Sequence, residues 1–410
     1  LRIVKKIAII GGGASGLAAA IEALRLSKKR NIPVSVTIYE KLPRICKKIL
    51  VTGNGRCNLC NADIKTEHYR GDKSLISAVI DSGFSDTLSF FNSLGLLLKQ
   101  ESGRVYPKSG NASSAADALR FMALSLGCKV FSDTEINKIE KRENGFLLND
   151  KYAADAVILA GGGAAAPYCG TDGNGYTLLR SLEHRVTEVR PALVPVKCED
   201  LFFKSLKGIR ADAIATLFCN SEKLYEEMGE VQFTEYGLSG IPILNMSGLI
   251  DMDEKLKYRI TLDLCPDMDY NSLKEFLETA FSRGKPTAAD VLTGIIPKRL
   301  GEVLLKRIDI SPLETPNNIT SDAIAKITNI IKCFDASVIA TTGFKNAQVT
   351  AGGLSAEEIE LSTLCSKHID GLYICGELLD AYGICGGYNL HFAWTSGRIA
   401  GYSAALKVTE

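Results

Sequence analysis

Lys5-Lys6-Ile7-Ala8-Ile9-Ile10-Gly11-Gly12-Gly13-Ala14-Ser15-Gly16 carries an apolar run that breaks into glycine just before an alanine-rich stretch. The run reads as a short buried strand and the alanine-rich stretch as a helix, so the order is strand, glycine turn, helix. The glycines serve different ends. Gly11 permits the tight turn, Gly13 lets the backbone approach a pyrophosphate, and Gly16 lets the helix lie close on the strand. The phosphate then rests on the helix N-terminus, against the amides that begin at Ala14 and Ser15. Val34–Tyr39 alternates as a second strand and ends in Glu40, 24 residues beyond Gly16, where a carboxylate takes both hydroxyls of an adenosine ribose. Together these features predict a Rossmann-like α/β fold that binds a dinucleotide.

The motif does not choose between NAD and FAD, which share an adenosine half, so the choice rests on what lies downstream. Residues 154–159 form an apolar strand that stops at Ala160-Gly161-Gly162-Gly163, where bare backbone passes close to a cofactor or to the first glycine turn. Near the other end, residues 371–375 read as a strand leading to Gly376-Glu377, then to Gly386-Gly387-Tyr388-Asn389 and a helix with small residues at Gly397 and Ala400. A carboxylate just after a strand reaches ribityl hydroxyls, and the helix N-terminus stabilises negative charge on a flavin ring. NAD has no ribityl chain, and no second strand, GxGxxG and helix unit occurs in the sequence. The expectation is one FAD held by both ends of the chain, with any NAD(P)H bound only transiently and without a Rossmann site of its own.

With 410 residues at 46% hydrophobic the chain can bury a large core, and 48 basic against 47 acidic side chains give a net charge of +1. No global field draws it to nucleic acid or to anionic lipid. No apolar run reaches the roughly 18 to 20 residues that a membrane helix needs, so a cytoplasmic protein is expected. The twelve cysteines are scattered as reduced intracellular thiols are. Cys57-Asn58-Leu59-Cys60 is a CxxC, but no second pair has the spacing of a zinc site, so no metal is expected.

The loop at residues 48–58 follows the Glu40 strand and is a place for site chemistry: Lys48 and Arg56 can meet a pyrophosphate, and Gly53 and Gly55 let backbone pass near a ring. Residues 190–264 hold short β-type runs, and from residue 269 helical spacing takes over, with stripes such as Leu273, Phe276, Leu277 and Ala280.

Across nearly its whole length the chain resembles the HI0933-like flavoproteins, also called the BaiN-type or aminoacetone oxidase family. The matching stretches are residues 11–16, 48–58, 170–176, 190–195, Phe233-Thr234 with residues 237–240, and 376–390. The resemblance implies a discontinuous FAD-binding domain of the two-dinucleotide-binding type, at 1–190 and 350–410, with an insert at 191–349. In the insert a β-barrel (191–265 and 334–349) is expected to carry a small helical bundle (266–333). The cofactor-binding set it implies comprises Gly11, Gly13, Ala14, Ser15, Gly16, Glu40, Lys41, Lys48, Gly53, Arg56, Cys57, Asn58, Ile136, Ala160, Gly161, Gly162, Gly376, Glu377, Asp380, Gly386, Gly387, Tyr388, Asn389 and Leu390. Family names imply either reduction of a conjugated enone at the expense of NAD(P)H, with hydride passing through flavin N5, or oxidation of a small amine by oxygen. A flavoprotein that modifies RNA, or a non-catalytic flavin binder, is the rival class. Cys60, Glu235 and His391 depart from the family pattern, and no catalytic acid or base is assigned.

Overall fold

The computed structural model describes residues 4–251, 253 and 255–410, which fall into two compact units. One comprises the residues up to Pro191 together with Ala347–Glu410; the other is Ala192–Asn346.

The first unit is built on a seven-stranded sheet in whose interior Lys5–Ile10 lies. This strand runs parallel to Val34–Tyr39 on one side, with Ile9 opposite Ile38, and to Ala156–Leu159 on the other, with Ile9 opposite Ile158. Lys129–Phe131 extends the sheet beyond Val34–Tyr39, and Leu372–Ile374, from the far end of the chain, lies parallel to Ala156–Leu159. Ile7, Ile9, Val36, Ile38, Val157 and Ile158 are all buried. Parallel strands covered on both faces read as continuous apolar runs, which is why the opening run is legible. Cys365–Ser366 and Ile359–Glu360 finish one edge in antiparallel fashion.

The opening helix, Ala14–Arg30, packs on the closing helix, Tyr388–Thr409, at backbone distance. A Cβ on Gly397 would run into the carbonyl of Ser15, and one on Gly401 into the carbonyl of Ala19. A spacing of four on each helix places both contacts on one face, so the two ends of the chain are joined along a seam of small residues. Two small antiparallel sheets flank this core: Ile139–Arg142, Gly145–Leu148 and Tyr152–Ala154 form one, and Cys60–Asn61, Arg104–Pro107 and Leu98–Glu101 the other. Helices Lys73–Ile80, Thr87–Ser93 and Ala112–Ser125 begin at Asp72, Asp86 and Asn111, whose side chains accept from first-turn amides and so fix where each helix starts.

The second unit is a closed six-stranded antiparallel barrel, ordered Val196–Cys198, Gly237–Gly240, Glu222–Thr234, Arg210–Cys219, Tyr258–Asp263 and Phe334–Thr341, the last pairing again with the first. Between the last two strands run the helices Tyr270–Phe281, Ala288–Leu292, Lys298–Arg307 and Ser321–Lys332. Asp269, Thr287 and Thr320 cap three of them, and Pro297 precedes the other. Phe203, Phe233 and Phe334 meet edge-on and stacked in the barrel core. The expected α/β fold with an inserted barrel and helical bundle is therefore the fold the chain adopts. Among the described residues no helix is long and apolar enough to cross a membrane.

Candidate functional site

The first glycine turn sits where the opening strand meets its helix. Gly11 has φ of +108° and donates its N–H to Tyr39 O at 2.9 Å, and a Cβ there would strike the Ala160 carbonyl. Gly13 is the N-cap of the opening helix; no side chain caps that end, and the helix has no acid in its first turn. A Cβ built on Gly13 meets nothing within 4 Å, so open space lies in front of these amides. Glu40 is held at the end of the second strand: its Oε2 accepts from Gly12 N at 2.8 Å and its Oε1 from Leu42 N at 2.9 Å.

Beside this turn lies a cleft with about 470 Å³ of space free of protein atoms, part of it open to solvent. Gly11, Glu40, Lys41, Ile136, Gly161 and Asn174 are among the residues that line it. Lys41 Nζ pairs with Asp172 at 2.5 Å, and Asn174 Nδ2 donates to Ile136 O at 3.2 Å, closing the rim.

The C-terminal segment meets the same region. Gly376 N donates to Ser396 Oγ at 3.0 Å, and a Cβ on Gly376 would lie 2.5 Å from Ser15 Oγ, so this turn rests directly on the opening helix. The Glu377 carboxylate accepts from Thr350 N at 2.9 Å and from Lys48 Nζ at 2.8 Å, and Lys48 also donates to Ala165 O at 3.3 Å. Lys48 and Glu377, 329 positions apart, thus form one part-buried ion pair. Burial raises the Asp380 carboxyl above the usual range, with a hydrogen bond from Thr187 opposing it. The closing helix starts at Gly387, φ +102°, again with no side-chain cap and no first-turn acid. Asn389 is committed to that turn: its Oδ1 accepts from Gly383 N and its Nδ2 donates to Gly383 O, both at 2.8 Å. Leu390 packs against the core beneath.

The segment at residues 48–58, expected as a loop, instead forms the end of a short helix, Lys47–Val51, and a 3-10 turn, Thr52–Gly55, and it divides. Its start reaches Glu377 through Lys48, whereas its end runs under the closing helix, where Asn58 Oδ1 accepts from Val105 N at 3.2 Å and Trp394 Nε1 donates to Leu59 O at 2.9 Å. Gly53, with φ of +55°, folds tightly onto Asn58. Arg56 is drawn to neither glycine turn; it lies 4.1 Å from the Tyr106 ring centre and pairs with Glu101 at 2.5 Å. Cys57 and Cys60 are buried free thiols, and burial pushes both up to about 12. His391 is buried and fully bonded: Nε2 donates to Ser85 O at 3.0 Å, which leaves Nδ1 to accept from Tyr69 OH at 3.1 Å. Burial keeps it below the ordinary histidine range, hence neutral and structural. Among the described residues no group of three or more His, Cys, Asp or Glu can hold a metal ion.

Three contributors carry no mark of their role in the sequence. Thr350 braces Glu377 and accepts from Ala164 N at 2.8 Å; Tyr176 donates to Glu377 O at 2.8 Å; Ser396 holds the Gly376 turn. Tyr176 lies within one of the stretches that carry the family resemblance, but nothing in the spacing singles out Thr350 or Ser396.

A parallel sheet whose first strand, glycine turn and helix are closed by a C-terminal strand, turn and helix defines a discontinuous Rossmann-type dinucleotide-binding protein. The model of the HI0933-like protein Rossmann domain matches residues 5–403, and the chain belongs to the HI0933-like family. It is 37% identical to the 3-dehydro-bile acid delta(4,6)-reductase of Clostridium scindens, covering 98% of this chain and 99% of that one. It is 28% identical to the ribosomal RNA dihydrouridine synthase of Haemophilus influenzae, over 98% of both chains. Among solved structures it resembles an adenosine-5-phosphosulfate reductase at 16% identity and a TM-score of 0.45, covering all (100%) of this chain and 70% of that one.

Proposed function

We propose that this protein is an FAD-dependent oxidoreductase that reduces a conjugated carbonyl compound, taking hydride from NADH or NADPH. The observation that carries the FAD reading is that two helices from opposite ends of the chain, each with an N-terminus that no side chain caps, at Gly13 and at Gly387, pack side by side and run the same way. Their donor sets fit the molecule. Open space before the amides of Ala14, Ser15 and Gly16 suits a diphosphate, and Glu40 at the cleft with Lys41 and Ile136 suits an adenosine. Ala160, Gly161 and Gly162 offer bare backbone between the halves, and Lys48, Glu377 and Asp380 offer charged and hydrogen-bonding partners for a polyhydroxyl chain. Residues 386–390 aim a helix dipole at the ring end, where it favours negative charge. The discontinuous unit is on this reading the FAD-binding domain. Bound there, FAD supplies a two-electron carrier between a donor and an acceptor.

The reductase reading rests on the full-length similarity to a bile acid reductase and on the chain's own charge balance, 48 basic against 47 acidic residues, which favours a small substrate over a polyanion. Similarity to ribosomal RNA dihydrouridine synthases supports a second reading, reduction of a base in RNA. Anaerobic stopped-flow mixing with NADH and with NADPH tests both. The flavin bands bleach with one or both nicotinamides, and a 3-oxo-Δ4 steroid acid restores them faster than ribosomal RNA does. Preferential return with RNA installs the second reading; a colourless protein that takes up no FAD overturns both.

A further inference from the structure

Next to the turn that starts the closing helix stand three polar groups without partners among the described residues: the Arg104 guanidinium, the Tyr388 hydroxyl and His68 Nδ1. Strand Arg104–Pro107 pairs antiparallel with Cys60–Asn61, with Arg104 directly opposite Asn61, so these two side chains share a face. That face meets the turn: Asn61 Nδ2 donates to Gly386 O at 3.0 Å. The position a Cβ would take on Gly386 is 2.6 Å from the Tyr388 ring and 3.4 Å from Asn61 Nδ2. Arg104 is half-buried, and among the described residues its guanidinium has no ion pair, hydrogen bond or ring contact. The contrast with its neighbour is direct, since Arg56 beside the same sheet is neutralised by Glu101.

Tyr388 is 6% exposed, yet its hydroxyl has no hydrogen-bond partner among the described residues. The His68 ring packs on Tyr388 with centres 4.7 Å apart, and His68 Nδ1 is a buried nitrogen without a partner. Of the nearby carboxylates, Glu101, opposite Arg104 on the adjacent strand, is taken by Arg56 and Lys99; Asp63 is tied to Lys65 at 3.0 Å, and it and Arg104 act on the Tyr388 hydroxyl in opposite senses. The guanidinium and the phenol hydroxyl are thus donors that no described protein group uses, set beside a buried ring nitrogen that also lacks a partner.

We propose that Arg104, with the Tyr388 hydroxyl as second donor, seats the carboxylate of an acidic substrate beside the turn that starts the closing helix. The proposal rests on the reading of the protein as a reductase of a small organic compound, and it names that compound's class: a conjugated carbonyl carrying a remote carboxylate. A guanidinium and a phenol on one carboxylate make a charge-assisted pair of bonds that a neutral analogue does not form.

Isothermal titration calorimetry on the FAD-supplemented protein, with a 3-oxo-Δ4 steroid acid and its carboxamide as probes, reads the effect without turnover. The wild type is expected to bind the acid about tenfold or more tighter than the amide, the size of one lost charged hydrogen bond. Arg104→Met removes that preference, Arg104→Lys retains part of it, and Tyr388→Phe reduces it severalfold. Wild-type protein that binds acid and amide alike, or binds neither, overturns the proposal, as does a preference that survives Arg104→Met. Failure of the reductase reading shows separately, as flavin that no nicotinamide bleaches.

Discussion

Replacing Gly13 by alanine separates cofactor binding from folding at a single methyl group. Gly13 has φ of −88° and ψ of −158°, an extended conformation that alanine adopts freely, and the new Cβ meets no protein atom within 4 Å. The folded protein therefore gains no strain, and the unfolded chain loses freedom, worth about 0.4–1 kcal/mol in favour of folding. The methyl lands in the open space before the amides of Ala14, Ser15 and Gly16. A diphosphate displaced from two of those amides loses charged hydrogen bonds worth about 1.5–3 kcal/mol each, or about 100-fold or more in affinity. Flavin-stripped wild-type and Gly13→Ala proteins are compared by thermal melting and by FAD titration followed through flavin fluorescence. The expected pattern is an unchanged or slightly higher melting temperature with a Kd raised about 100-fold. A Kd within threefold of wild type would show that the diphosphate seat lies elsewhere, and a variant that melts clearly lower would show that Gly13 serves the fold.

The converse change is Gly401→Ala, whose methyl strikes the Ala19 carbonyl on the facing helix; the overpacking costs about 1–3 kcal/mol and should lower the melting temperature by several degrees in calorimetry, with or without FAD. His391 is buried below its ordinary range, so the unfolded chain takes up a proton near pH 6.5 that the folded one refuses. Stability is thus full above that pH and is lost as pH falls toward the folded value; His391→Gln should flatten part of that acid limb in urea titrations, the rest belonging to His184, which burial also holds low. The thiols of Cys57 and Cys60 stay protonated at neutral pH, whereas Cys333 is exposed; a thiol reagent at pH 8 should show a fast phase that Cys333→Ser abolishes, with Cys57 and Cys60 reacting only on unfolding.

The parts of the fold that can be read directly from the sequence are those whose physics is local. A strand covered on both faces must be apolar throughout, a tight turn must carry glycine, and a helix must start at a cap, so residues 5–16, Val34–Tyr39 and the helical stripes after Asp269 show their structure in order along the chain. Glu40 is legible for the same reason, being the residue at which a readable strand ends. The small sheet of Cys60–Asn61, Arg104–Pro107 and Leu98–Glu101 leaves no such trace, because its strands are two to four residues long and polar on one face.

What no local pattern carries is pairing between distant residues. Lys48 as a lone cation in a loop points to a phosphate, and only the fold reveals that it stands against Glu377 and the Ala165 carbonyl. Arg56 and Arg104 are the same residue type on neighbouring elements, yet one is spent on Glu101 and a tyrosine ring while the other has no partner among the described residues. Register places Arg104 between Glu101 and Asn61, but Glu101 is taken by Arg56 and Lys99, and Asn61 is fixed by Gly386 from the other end of the chain. The seam of Gly397 and Gly401 against Ser15 and Ala19 is therefore more than packing. By holding the two ends at backbone distance, it sets the position of the Gly387 helix start relative to the Gly13 helix start, and of Arg104 and Tyr388 with it. On the proposed reading, one seam thus fixes the substrate anchor and the cofactor seat relative to each other, with Tyr388 on the turn between them.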